Sequence, residues 1–201
     1  MMSDTPRVDP HLIEEVRKSI LSKAEIKRRF AETAAADIAR TVEIAVECLR
    51  NGGKILLCGN GGSAAEAQHI SAEFVGRFLI EREGLPSIAL TTDTSALTSI
   101  ANDYGYDSVF ARQVEALGRA GDVLFAYSTS GNSANVVAAV RKAREMGLRT
   151  IGFVGGKDCT MMQECEVCIR GLTNTAATIQ ECHSSAGHTI CGLVEQLLAQ
   201  G

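Results

Sequence analysis

The chain has 201 residues, 45% hydrophobic and 22% charged, with a net charge of -4. That size and balance predict one soluble globular domain, and the acidic excess, with no basic stripe, excludes nucleic acid as the main partner. No stretch approaches a membrane span, and the N-terminal residues lack the unbroken apolar core of a secretory leader, so the expected location is cytoplasmic, with the seven cysteines as reduced thiols.

In chain order, Leu12, Ile13, Val16, Ile20 and Leu21 recur at helical spacing after Pro10 and predict a first helix. A second is expected from about Ala31 to Leu49, ended by Asn51-Gly52-Gly53. These two N-terminal helices (1–52) exceed what a sheet needs and could cover one of its faces or pack on a partner subunit. From residue 53 an α/β core begins. Short apolar strands are predicted at 54–58, 87–92, 122–128, 149–155 and 166–171. Helices are expected from Ser63 to about Phe78, at 94–101, 108–118 and 133–147, and between about Ala177 and Leu198. Strands alternating with helices predict an α/β, doubly wound, five-stranded parallel sheet of flavodoxin-like order.

Ligands of such sheets bind at the carboxyl ends of the strands. Two of those ends carry small and hydroxyl residues at a helix start, where amide groups and the helix dipole favour an anion. They are Gly59-Asn60-Gly61-Gly62-Ser63 and Ser128-Thr129-Ser130-Gly131-Asn132-Ser133. Neither ends in the Lys-Ser/Thr that a nucleotide P-loop requires. Gly59, Gly61 and Ala64 fit a dinucleotide fingerprint, but its acidic partner is misplaced: Glu81 and Glu83 precede the second strand, and Asp93 lies beyond it at a longer spacing. Four hydroxyls within the second loop favour a terminal phosphate monoester instead. His69 and Glu73, four apart, project from one face of the helix that opens at the first loop. Cys165 and Cys168 have CxxC spacing without a second pair, and read as small residues flanking a strand.

"CGNGGSAAEAQHISAEFVGRF", "ANDYGYDSVFARQVEALGRAGDVL", "STSGNSANV" and "IQECHSSAGH" together resemble the bacterial phosphoheptose isomerases of the sugar-isomerase (SIS) family, over nearly the whole chain. The resemblance implies an SIS fold over 1–201, a homotetramer, and an aldose-ketose isomerase that converts sedoheptulose 7-phosphate through an enediol for heptose biosynthesis. It implies Glu73 and His188 as the catalytic pair, and His69, Glu73, Gln180 and His188 as ligands of one Zn²⁺ per subunit. Asn60, Gly61, Gly62, Glu73, Asn102, Asp103, Ser128, Thr129, Ser130, Ser133 and Gln180 would contact the sugar phosphate, and Ser63 adds a phosphate contact from the helix start. Eight helical residues span about 12 Å, so Gln180 and His188 reach one ion only if Gln180 precedes the regular helix or two chains contribute. His183 is the competing histidine, read as a partly exposed packing residue. The rival function is a non-catalytic SIS binding module, such as one that associates with a replication initiator; it would have no need of the Glu73 and His188 pair.

Overall fold

A computed structural model describes residues 8–200. Its first element, α1 (Pro10–Arg50), is 41 residues long. Asp9 starts it by accepting the His11 amide at 2.9 Å, with Pro10 in the first turn, where a missing amide costs nothing. The two helices expected here are therefore one. Between Pro10 and Gly52 the sequence holds no glycine or proline to stop a helix. The interrupted apolar pattern at residues 22–29 covers the stretch where α1 begins to meet the domain, Lys23 pairing with Glu181 at 2.8 Å and Ile26 packing on the core, beside surface ion pairs such as Arg28 with Glu25 and Glu32. From Phe30 onward α1 buries Ala34, Ile38, Val42 and Ala45.

The strands are β1 (Ile55–Gly59), β2 (Ser87–Ala89), β3 (Val123–Ser128), β4 (Arg149–Val154) and β5 (Val167–Arg170). They pair in parallel in the order β2-β1-β3-β4-β5, the predicted flavodoxin-like arrangement. Between them run α2 (Gly62–Val75), α3 (Thr94–Tyr104), α4 (Val109–Leu117), α5 (Ala134–Glu145) and α6 (Met161–Glu164), and α7 (Ala176–Ala199) follows β5. Alternation along β3 divides the core. Val123, Phe125 and Tyr127 pack with α1, α2 and α7, while Leu124 and Ala126 pack with α4 and α5. Strands covered on both faces explain why each reads as an apolar run rather than an alternation. Among the described residues no helix is long and apolar enough to cross a membrane.

Helix α2 stops three residues short of the expected Phe78. Arg82 takes its last carbonyls, donating to Glu73 O and Phe74 O at 2.8 Å each, and the chain turns at Gly76.

Candidate active site

The strand order reverses at β1 and β3, so their two following loops lie side by side at the crevice where such sheets bind ligands. Asn60 and Asn135 tie them together. Each amide nitrogen donates to the other's oxygen at 2.9 Å, and the Tyr106 hydroxyl adds a bond to Asn60 at 3.2 Å. In the first loop Gly61 has φ +55°, a conformation that a side chain would strain. A Cβ on Gly62 would sit 2.3 Å from Gln180 Nε2, so glycine there admits the amide of α7 against the loop. Ser63 is buried directly behind it.

In the second loop the hydroxyls converge. Ser128 Oγ lies 3.2 Å from Ser130 Oγ and 3.0 Å from Ser133 Oγ, and accepts the Gly131 amide at 3.1 Å. Thr129 and Ser130 open onto a cavity of about 310 Å³. Its other walls include Asn132, Lys157 and Asn174. Asn102 and Asp103 stand exposed on the last turn of α3, bonded to each other at 2.8 Å.

His69, Glu73 and His188 sit lower, where α2 and α7 run side by side. Gly62 meets Gln180, Ser184 donates to Glu66, and His69 meets His188, each pair stepping down both helices together. Gly187 lets them touch, since a Cβ there would fall 2.5 Å from Ile70 Cδ1. His69 Nε2 lies 3.1 Å from Glu73 Oε1 and 3.2 Å from His188 Nε2. Among the described residues this is the one group of three or more His, Cys, Asp or Glu donors close enough to share an ion. Two imidazoles and a carboxylate are ordinary zinc ligands. Donors about 2.0–2.1 Å from a tetrahedral ion stand about 3.3 Å apart, close to the two spacings from His69, and all three donors lie within 4.8 Å of one another. The donor set fits zinc. Gln180 lies two turns earlier in the same regular helix, against Gly62, so its own chain does not bring it to that cluster.

The SIS domain family matches residues 21–155. Over 187 residues the chain is 54% identical to the phosphoheptose isomerase of Roseiflexus sp. (strain RS-1), covering 93% of both chains. The chain belongs to the phosphoheptose isomerase family. Identity to the Aliarcobacter butzleri phosphoheptose isomerase is 51%, covering 90% of this chain and 96% of that one. The structure of phosphoheptose isomerase from Neisseria gonorrhoeae matches with a TM-score of 0.86 at 42% identity, over 92% of this chain and 99% of that one.

In this member of the phosphoheptose isomerase family, three wall residues escaped the sequence reading. Lys157, Asp158 and Asn174 follow β4 and β5 without any motif, and only the shared sheet edge could have flagged them. Cys165 and Cys168 both pack over Gly152, where a Cβ would stand 3.0 and 2.9 Å from their sulfurs. His183, expected to be partly exposed, is instead 1% exposed. It faces the sheet rather than the crevice, its Nε2–H donating to Val154 O at 3.1 Å, with the ring edge-on to the stacked Tyr127 and Phe153.

Burial lowers the His183 pKa to about 4, against a smaller opposing effect of the Val154 carbonyl. Above the unfolded value of 6.5 both states are neutral and the group has no effect on stability. Below it the unfolded chain takes up a proton that the folded chain refuses, so stability is lost as pH falls from 6.5 towards 4. The loss should reach on the order of 3 kcal/mol. Urea unfolding at pH 7 and pH 5 should show a clear drop that is smaller in His183→Gln. Equal drops in both proteins would remove His183 as its source.

Proposed function

We propose that the protein isomerises sedoheptulose 7-phosphate to D-glycero-D-manno-heptose 7-phosphate in the cytoplasm, for bacterial heptose biosynthesis. The observation that carries this reading is the meeting of Glu73, His69 and His188 on helices that begin beside a hydroxyl-lined loop. Ser128, Thr129, Ser130 and Ser133 hold the phosphate with help from Ser63, Gly61 and Gly62, while Asn60, Asn102, Asp103 and Gln180 reach sugar oxygens. Glu73 moves the proton between C1 and C2, and His188 donates and recovers protons at the oxygens where charge develops in the enediolate. His69, Glu73 and His188 would hold Zn²⁺, with Gln180 of a neighbouring subunit as a fourth ligand. When bound, the ion supplies Lewis acidity to the substrate carbonyl and hydroxyl. His188 Nε2 serves as ligand or as proton donor at any one moment, not both.

Support for an enzyme over a non-catalytic SIS module is the retained acid–base pair and identity near 50% to several phosphoheptose isomerases. Incubation with sedoheptulose 7-phosphate, followed by an assay for heptose 7-phosphate, tests the reading; absence of product in a folded, zinc-supplemented protein would overturn it.

Replacing Ser128, Ser130 and Ser133 together with Ala should weaken binding of sedoheptulose 7-phosphate far more than it weakens the fold. An N-cap loss is ordinarily about 1 kcal/mol, but Ser133 makes no cap bond through its side chain here, its hydroxyl turning to Ser128. Calorimetric titration beside thermal unfolding separates the effects. Equal affinity of the native protein for sedoheptulose with and without phosphate would sink the assignment.

A further inference from the structure

Between α2 and β2 the chain is gripped by a carboxylate from the far end of the protein. Glu195, on α7, has a fully buried side chain. Its Oε1 accepts the Phe78 amide at 2.7 Å and Arg82 Nε at 2.8 Å, and its Oε2 accepts the Leu79 and Ile80 amides at 2.8 and 3.1 Å. Burial alone would raise its pKa, but the three amides and the guanidinium outweigh that and hold it below the ordinary carboxylate value. Arg82 carries the grip onward, donating to the main-chain carbonyl of Glu73 at 2.8 Å.

A buried pair that merely closed a loop would stop there. This one sets Phe78 flat against the imidazole of His188, with ring centroids 5.3 Å apart and planes 15° from parallel. His69 meets the same imidazole edge-on, with centroids at 4.9 Å and planes at 75°. The Phe78 ring also covers Gly192, one turn beyond His188, where an added Cβ would come within 3.4 Å of it. The final torsion of a histidine is broad and needs an outside constraint to aim one nitrogen. Here the constraint is an aromatic plane, itself fixed by a main-chain amide on a buried carboxylate.

We propose that Phe78, anchored by Arg82 and Glu195, is a positioning residue that orients the His188 imidazole so that Nε2 faces His69 and Glu73. The inference rests on the isomerase reading for its catalytic consequence but not for its geometry. Phe78 need not touch substrate; it acts through His188.

Three measurements on the full chain test this. In the metal-free protein, the His188 ring-proton resonances should carry the shift of a stacked aromatic, lose it in Phe78→Leu and keep it in Phe78→Tyr. Titration with Co²⁺ should show weaker binding and an altered visible spectrum in Phe78→Leu, about 10- to 100-fold in affinity, the usual effect of removing a group that orients a ligand. Turnover should fall in kcat by about 10-fold or more with KM little changed, and Phe78→Tyr should restore it. Thermal unfolding identifies a variant lost to misfolding, in which case Phe78→Met takes its place. Native Co²⁺ affinity and native kcat in a folded Phe78→Leu or Phe78→Met protein would overturn the proposal, as would unchanged His188 resonances. A native protein lacking both isomerase activity and Co²⁺ binding would overturn the functional reading while the resonances still decided the orientation.

Discussion

Glu73→Gln should still bind sedoheptulose 7-phosphate while losing about 100- to 10,000-fold in kcat, the range lost when a positioned acid or base is removed. Glutamine matches the shape of the carboxylate and can still hydrogen-bond His69 Nε2, now 3.1 Å away, so the helix pair has no reason to move. What disappears is a group able to take a proton from carbon. Calorimetric titration measures the retained affinity, and single-turnover kinetics isolate the chemical step. A folded variant with near-native kcat would remove Glu73 from the mechanism.

We propose that α1 joins copies of the chain in a homotetramer, which Val16→Glu combined with Ile20→Lys should dissociate, abolishing turnover with it. The first turns of α1 present Leu12, Ile13, Val16, Ile20 and Leu21 to solvent, each at least 51% exposed. A row of large apolar side chains on one helix face marks an interaction surface, and pairing with the same helix of another copy would form a bundle. Gln180 supplies the link to catalysis. It lies in the regular part of α7 beside Gly62, so its joining the His69 cluster requires a second chain. Glu73 and His188 already meet through His69 on one chain, so mixing Glu73→Gln with His188→Ala should restore nothing. Mixed oligomers of Glu73→Gln and Gln180→Ala should instead contain some complete sites and regain part of the activity. Sedimentation that finds a fully active monomer at assay concentration would overturn the assembly prediction.

The strands, their order and the small-residue loops after β1 and β3 were legible because each depends on local pattern: apolar runs, glycine turns and hydroxyls at helix starts. The continuity of α1 was not. Residues 22–29 break the apolar period and are mostly exposed, although helical. Helix α6, at four residues, is too short to show any period. His69 and Glu73 could be placed on one face from spacing alone, whereas their meeting with His188 depends on how α2 packs against α7. Phe78, Arg82 and Glu195 carry no local signature at all. Their contacts join positions more than 110 residues apart, which only the tertiary fold brings together.

The side-by-side run of α2 and α7 also sets a timetable for biosynthesis. Domains are made from the N-terminus onward, and contacts distant in sequence form late. The nascent chain therefore displays the first phosphate-type loop, His69 and Glu73 long before α7 has been synthesised. Until then Ile70 and Phe74 lack the helix that buries them, and neither His188 nor Glu195 exists to complete the centre. The meeting of His188 with His69 and the shielding of that apolar face are one event, so an interrupted translation product exposes a sticky surface and lacks the complete cluster.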